Sequence, residues 1–169
     1  LIDCGARKFA ILSLQANEAE NFGPMNAKRR GAVSHRVVRE RLGGYHDSLQ
    51  KAGIAVDDVI HIECENLSSH SAQMVEAMLR RNPEIDGILA MSDVIAIGAL
   101  DGARAAGRNV PADLKVMGYD GIAEGERTDP PLSSIRQDSV EKGRLAAEIN
   151  GDSRILETSL LVRGSSRAD

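Results

Sequence analysis

The segment 87–120 most constrains what this 169-residue chain can fold into. Two short apolar runs, 87–91 and 115–119, predict buried strands, and the stretch between them predicts a helix made mainly of small residues. An acidic residue stands just past each predicted strand, Asp93 after the first and Asp120 after the second. Because ligands of open α/β sheets bind where the strands end, these two residues are the first candidates for a binding site.

Strands and helices that alternate before residue 120 predict an α/β fold. The predicted strands are 7–14, 59–63, 87–91 and 115–119, and the predicted helices between them are 34–52, 72–81 and 93–106. Three successive strand–helix–strand units indicate a parallel sheet with right-handed crossovers, which is the doubly wound architecture. After residue 120 the pattern changes, so we expect the chain to leave the main sheet and return. The later elements are a strand at 132–136, a helix from 139 to about 149 capped by Asp138, and a strand at 160–163.

The composition argues against several classes of protein. With 21 Lys and Arg against 25 Asp and Glu, the net charge of −4 disfavours a nucleic-acid-binding surface on this chain. No apolar run is long enough to cross a membrane and no export leader opens the chain, so we expect a soluble protein. Cys4 and Cys64 lie far apart and have no metal-binding spacing, so we expect reduced thiols and neither a metal nor a cofactor. Nucleophile-elbow, phosphate-loop and dinucleotide motifs are missing, which argues against an enzyme.

A long polar segment, 15–31, follows the first predicted strand. Because it leaves the carboxyl end of that strand, it should overhang the same crevice as Asp120. Two interpretations remain open, a lid over a ligand and a solvated insertion. The next helix carries Arg36, Arg39 and Arg41, which either form a solvated basic face or place one guanidinium in the crevice to hold hydroxyls or a carboxylate.

Several ordered motifs resemble the consecutive signatures of one known family, the LacI/GalR family of bacterial transcription regulators. That family is also matched, in the same order, by LIDCG at 1–5, RERLGGY at 39–45 and LVRGS at 161–165. The resemblance therefore spans almost the whole chain. The most specific motifs are SDVIAIGAL at 92–100, GRNVPAD at 107–113, VMGYD at 116–120 and PPLSSIRQ at 130–137.

The resemblance implies a two-lobed effector domain of the periplasmic-binding-protein type, with a small molecule held between the lobes. In the family a helix-turn-helix that binds operator DNA precedes this domain, and this chain begins midway through the domain. The resemblance assigns 1–132 mainly to the second lobe, with 1–10 entering from the first lobe. It assigns 133–150 to a crossover strand and helix of the first lobe, and 151–169 to the return.

The resemblance also implies roles for individual residues. Arg41 matches the family's ligand-binding arginine, and Asp120 matches the aspartate that accepts hydrogen bonds from the ligand. Ser92 falls where the family often has a polar ligand contact, and Gln137 matches a polar residue near the cleft and hinge. Asp93 is expected to cap its helix rather than to contact the ligand.

Asn66 departs from the family pattern. Members often place there an aromatic residue that stacks on a sugar or base. Aromatic residues make up only 2% of this chain, so no obvious substitute exists. Aromatic stacking on the effector is therefore not expected, and Asn66 is kept as a candidate ligand-binding residue.

The small-residue helix at 93–106 has an expected role of its own. Two glycines inside a helix each cost roughly 1 kcal/mol relative to alanine, so close packing against the sheet or against a second copy of the chain is expected to compensate. In the family this surface contributes to a two-fold dimer. The resemblance therefore implies a dimer interface through Ala96, Ala99, Leu100 and Ala103.

The function expected from these features is that of the effector-binding part of a cytoplasmic, homodimeric transcription regulator. Its ligand is expected to be a sugar or sugar derivative held by Arg41 and Asp120, with a phosphorylated effector on the basic helix as the second possibility. Operator DNA would be bound only by the absent N-terminal domain. The alternative is a sugar-binding protein of a transport system, which has the same fold.

Overall fold

The computed structural model describes residues 1–19, 21–148 and 154–167. The strands are β1 (Phe9–Ser13), β2 (Gly23–Pro24), β3 (Ile60–Glu63), β4 (Gly87–Ala90), β5 (Lys115–Asp120), β6 (Ser133–Gln137) and β7 (Thr158–Leu161). The α-helices are α1 (Ala27–Gly31), α2 (Arg36–Lys51), α3 (Ser68–Arg81), α4 (Asp93–Ala105) and α5 (Ser139–Ala147). Short 3-10 turns form at Ile2–Cys4, Val56–Asp58 and Ala123–Glu126. No helix in these described ranges is long and apolar enough to cross a membrane.

All seven strands belong to one sheet in the order β2-β3-β1-β4-β5-β6-β7. The five central strands are parallel, and the two outer strands, β2 and β7, are antiparallel to their neighbours. The strand order reverses at β1, because β3 lies on one side of it and β4 on the other. This arrangement confirms the doubly wound α/β prediction and places a ligand-binding crevice at the carboxyl ends of the central strands.

Each face of the sheet is covered by its own helices. On one face, Ile88 and Val116 of the sheet pack with Val75 of α3 and Ile95 of α4. On the other face, α2 buries Val38, Leu42 and Leu49, which recur at helical spacing, against β1. α2 therefore lies beside the crevice, and the first turn of α4 begins at the crevice, directly after β4.

The four residues predicted as a dimer interface lie in the core of the single chain. Ala96, Ala99 and Ala103 are 0% exposed and Leu100 is 4% exposed. The helix packs tightly on α3, since a Cβ at Gly102 would lie 2.5 Å from the Ala72 carbonyl oxygen. The interface prediction for these four residues is therefore wrong: the close neighbour that their small side chains admit is α3 of the same chain.

The predicted elements differ most from the observed ones at three places. The segment 15–31 is not an irregular loop, because Gly23–Pro24 pairs with β3 and Asn26 caps α1 by accepting the Arg29 amide at 3.0 Å. α3 begins at Ser68, four residues before the expected start at 72. β7 runs from Thr158 to Leu161, two residues earlier than the predicted strand at 160–163, and it pairs with β6 along this whole length.

Both strands after β5 stay in the main sheet. β6 pairs in parallel with β5, and β7 pairs antiparallel with β6, so the prediction that the chain leaves the main sheet after residue 120 is wrong for these strands. The Asp138 cap of α5 is confirmed, with Oδ1 accepting the Glu141 amide at 2.9 Å. No residue of α5 is buried. The assignment of 133–150 to a first lobe stays a prediction, and its last two residues lie outside the described residues.

Candidate ligand-binding site

Three of the five predicted ligand residues meet at the carboxyl ends of β5 and β6. Gln137 closes β6, and its side-chain Nε2 donates to Asp120 Oδ1 at 2.7 Å. The side chain of Arg41 extends from α2 towards Asp120, and its Nη2 lies 3.7 Å from Asp120 Oδ1. Gln137 Oε1 accepts from Lys142 Nζ at 2.8 Å, which ties the group to α5. The structure therefore brings together a cation, a carboxylate and an amide.

Arg41 is held in place by contacts at the ends of β4 and β5. Its Nη1 donates to the Met91 carbonyl at the end of β4, and its guanidinium carbon lies 3.6 Å from the centroid of the Tyr119 ring. One helical turn later, Tyr45 donates a long hydrogen bond of 3.4 Å to the Ala90 carbonyl. The Arg41 side chain is 14% exposed, so it loses little rotamer freedom when a ligand binds.

Asp120 combines a rare backbone conformation with a partly buried carboxylate. Its φ of 119° lies in the region that favours glycine, and it is the one non-glycine residue with positive φ among the residues that the structure describes. Burial raises the pKa of this carboxyl, while Arg41 and Gln137 oppose the rise. Oδ1 receives the Gln137 bond, whereas Oδ2 has no hydrogen bond within the described residues. That second oxygen can accept a bond from a ligand.

The other two predicted residues form a separate pair at the end of β4. Ser92 Oγ caps α4 by accepting the Ile95 amide at 3.2 Å, and the same hydroxyl donates to Asn66 Oδ1 at 2.7 Å. Ser92 is 2% exposed, whereas Asn66 is exposed. Ser92 thus fixes the amide of Asn66, and Asn66 is the member of the pair that faces solvent.

Asp93 does not cap its helix, contrary to the prediction. Its Oδ1 accepts from Ser134 Oγ at 2.6 Å and its Oδ2 accepts the Ile122 amide at 2.7 Å, while the capping bond comes from Ser92. Asp93 is 1% exposed and thereby joins the start of α4 to the ends of β5 and β6. It has a structural role beneath the site, as expected of a residue that does not contact the ligand.

Two cavities lie side by side along this edge of the sheet. The smaller, of about 440 Å³, is lined by Val37, Glu40, Arg41, Gly44, Tyr45, Tyr119 and Gln137. The larger, of about 770 Å³, is lined by Leu14, Gln15, Phe22, His35, Arg36, Val37, Val38, Cys64, Glu65 and Asn66. Val37 borders both, so the cavity lined by Arg41 and Gln137 adjoins the cavity lined by Asn66.

The structure adds aromatic residues that sequence reasoning missed. Tyr119 stands in the VMGYD motif beside Asp120, and this adjacency was the available signal. Phe22 comes from the polar segment 15–31, where a single aromatic residue was the only hint.

Cys64 is buried and Cys4 is exposed, and both thiols are free. Burial raises the pKa of the Cys64 thiol to about 12, so it is not a nucleophile of this site.

The basic residues near the crevice are mostly neutralised by carboxylates. Arg36 Nε donates to Glu40 at 2.6 Å, and Arg30 bonds Asp57 at 2.6 Å. Of the three arginines predicted on α2, Arg41 lines the smaller cavity, and Arg36, which pairs with Glu40, lines the larger one. Within residues 1–19, 21–148 and 154–167, no three His, Cys, Asp or Glu side chains cluster as metal ligands would.

An open α/β sheet with fixed polar side chains at the carboxyl ends of its strands is typical of the small-molecule-binding lobes of periplasmic binding proteins. A family model for the periplasmic binding protein-like domain matches residues 1–165. The chain belongs to this family and carries effector-binding sequence of the LacI/GalR transcription regulators.

Three similar proteins illustrate the relationship. The HTH-type transcriptional regulator IpsA of Corynebacterium glutamicum is 32% identical over 149 residues, which cover 88% of this chain and 41% of the relative. A LacI family protein of the same organism superposes with a TM-score of 0.87 at 28% identity, covering 99% of this chain and 52% of the other. A LacI family regulator from Arthrobacter, in complex with lactose, superposes with a TM-score of 0.74 at 28% identity, covering 98% and 60%. The chain thus spans less than half the length of IpsA.

Proposed function

We propose that this chain binds a sugar or sugar derivative in the crevice between Arg41 and Asn66. In the complete protein, sugar binding changes how an N-terminal helix-turn-helix binds operator DNA. The complete protein acts as a cytoplasmic homodimer and does not turn its ligand over. Since Ala96, Ala99, Leu100 and Ala103 are buried in the chain, the dimer uses a different surface.

The observation that carries this proposal is the contact group of Arg41, Asp120 and Gln137. A sugar hydroxyl both donates and accepts hydrogen bonds, so adjacent hydroxyls can use the Asp120 carboxylate and the Arg41 guanidinium together. Hydrogen bonds to charged groups contribute roughly 1.5–3 kcal/mol each, and a millimolar affinity needs only about 4 kcal/mol. Two such bonds therefore suffice for a weak but specific effector.

The comparisons support the ligand class and the regulatory role. The Arthrobacter regulator, similar in fold and 28% identical, was solved in complex with lactose. IpsA is named a transcriptional regulator of the HTH type. A phosphorylated effector is less favoured, because Arg30 and Arg36 already pair with carboxylates.

Calorimetry on the full-length protein tests the ligand class, with lactose, cellobiose and ribose as probes. We expect at least one of them to bind, and Asp120→Ala to weaken that affinity at least about tenfold by removing a charged acceptor. Asp101→Asn is the matched control, because Asp101 is an exposed carboxylate on α4 that pairs with Arg104. Equal affinity of wild type and Asp120→Ala would remove Asp120 from the site, and no binding of any probe would reject the ligand class.

An electrophoretic mobility shift tests the regulatory role. The full-length protein is expected to retard DNA from upstream of its own gene, and the sugar found by calorimetry is expected to change the apparent affinity. A sugar-binding protein of a transport system would bind the sugar and leave the DNA unretarded. That result would favour the transport alternative.

A further inference from the structure

Phe22 brings a phenyl ring to the larger cavity, whereas Tyr45 and Tyr119 line the smaller one. Phe22 is half-buried and lines the larger cavity together with Asn66, the residue at which the family often has a stacking aromatic side chain. Phe22 and Asn66 reach this cavity from different parts of the chain, the segment 15–31 and the loop after β3. The larger cavity is thus lined by an aromatic side chain, Phe22, and by the amide of Asn66.

The pairing of β2 with β3 sets the position of Phe22. Gly23 pairs with Glu63 and Pro24 with Ile62 in antiparallel register. Continuing this register by one residue places Phe22 opposite Cys64, which lines the same cavity. The aromatic residue therefore stands at the carboxyl end of β3, where the polar loop that contains Asn66 begins.

An ion pair fixes the backbone on both sides of Phe22. Arg29 bonds the buried carboxylate of Glu63 at 2.7 Å, and the same guanidinium donates to the carbonyls of Asn21 and Pro24. The Met25 amide also donates to the His61 carbonyl at 2.8 Å. Because Asn21 and Pro24 flank Phe22, these bonds hold its ring in position before any ligand arrives.

The ring of Phe22 is supported from behind by His70. The two ring centroids are 5.5 Å apart with the planes tilted by 60°, a favourable arrangement for an aromatic pair. His70 is itself fixed, because its Nδ1 accepts the Glu65 amide at 3.1 Å. The remaining ring surface lines the cavity.

We propose that Phe22 is a specificity-determining residue, whose ring packs against the apolar C–H face of a cyclic sugar. Asn66, fixed by Ser92, then contacts hydroxyls at the edge of the same sugar ring. This inference rests on the proposed function and extends it, because it selects ligands with a flat C–H face. An open-chain polyol offers the same hydroxyls without such a face.

Calorimetry on the full-length protein with lactose, cellobiose and ribose tests this role. Phe22→Ala is expected to weaken binding of the best probe about tenfold, which corresponds to about 1.4 kcal/mol and lies within the range for aromatic packing. Phe22→Tyr keeps the ring and is expected to restore most of the affinity. Leu67→Ala is the matched control, because Leu67 is an exposed apolar residue near Asn66 that does not line the cavity.

A double-mutant cycle tests the role of the ion pair. Arg29→Met combined with Glu63→Gln removes both charges, so that no buried carboxylate is left without a partner. In this background Phe22→Ala is expected to weaken sugar affinity less than threefold, because the ring is no longer held in position. Thermal unfolding of each variant identifies those that are folded.

The outcomes separate this inference from the proposed function. If wild type binds a probe and folded Phe22→Ala binds it equally well, the role of Phe22 is overturned and the proposed function stands. If wild type binds none of the three sugars, both the proposed sugar-binding function and the role of Phe22 are rejected. A tenfold loss in Phe22→Ala that Phe22→Tyr restores supports the inference.

Discussion

The guanidinium carbon of Arg41 lies 3.6 Å from the centroid of the Tyr119 ring, and the same guanidinium faces Asp120 at 3.7 Å. Tyr119 and Asp120 are neighbours at the end of β5, so one strand supplies both the surface on which the cation rests and the charge that it faces. The Met91 carbonyl of β4 completes the contacts of Arg41. The orientation of Arg41 is thus set by the sheet as well as by its own helix.

Arg41→Lys is expected to weaken sugar binding at least about tenfold. The ammonium keeps the positive charge but lacks the planar fork that contacts Tyr119, Asp120 and a ligand at once. Calorimetry with the best probe sugar measures the loss. Arg39→Lys on the exposed side of the same helix is the control, and equal affinity of Arg41→Lys and wild type would show that charge alone suffices.

Asp120→Gly is expected to be more stable than Asp120→Ala by about 1 kcal/mol, while both variants bind the sugar at least about tenfold more weakly than wild type. Both lack the carboxylate, so their difference isolates the backbone at φ 119°, which glycine adopts without strain. Urea unfolding gives the two free energies. If the alanine variant were as stable as the glycine variant, no strain would be present at this position.

Gly98→Ala is expected to lower the free energy of unfolding by about 2 kcal/mol or more. A Cβ there would collide with the Ser71 hydroxyl and the Ser68 carbonyl of α3, and backbone atoms cannot move aside cheaply. Gly43→Ala on α2 is the matched control, since a Cβ there has no neighbour within 4 Å, and it is expected to stabilise by up to about 1 kcal/mol. Urea unfolding of the pair checks the packing of α4 on α3, and equal stabilities would contradict it.

His61 is expected to make the folded state less stable as the pH falls below about 6.5. Its Nδ1 donates to the Val59 carbonyl at 2.9 Å, so its Nε2 accepts from His46 at 2.8 Å and the neutral ring is satisfied. Burial, helped by the charge of Arg30, lowers the pKa of His61 to about 4. Because the folded-state pKa lies below the unfolded value, this stabilisation is complete above pH 6.5 and is lost as the pH falls towards 4.

The expected loss is about 2 kcal/mol between pH 7.5 and pH 5, measured by urea unfolding. His61→Gln keeps a polar side chain at this position but does not titrate, so it is the matched control. The free energy of unfolding of wild type, relative to that of His61→Gln, should therefore be lower by about 2 kcal/mol at pH 5 than at pH 7.5. Parallel pH dependences for the two proteins would contradict the prediction.

The regular elements could be predicted from the sequence because their signals are local. Short apolar runs predicted β1, β3, β4 and β5, and small residues near 98 correctly indicated close helix packing. The identity of the packing partner could not be read locally, since glycine and alanine admit α3 of the same chain as readily as a second copy. This is why Ala99 was assigned to a dimer surface and is observed in the core.

The candidate site was predicted in part for the same reason. Arg41, Asp120 and Gln137 follow motif positions, and the fold brings them together. Ser92 supplies the helix cap expected of Asp93, whereas Asp93 accepts hydrogen bonds from Ser134 and Ile122. Adjacent residues at a helix start point in different directions, and these directions depend on the backbone of that turn. Phe22 was missed because its position depends on a two-residue strand and a distant ion pair, neither of which has a periodic pattern.

The outermost strand on one side of the sheet, β2, contains only Gly23 and Pro24. Proline has no amide hydrogen to offer to another strand, and a strand of two residues gives little template for pairing. The segment that positions Phe22 therefore also closes this side of the sheet against strand addition. It protects the protein from edge-to-edge aggregation, so copies that associate on this side must do so through side chains.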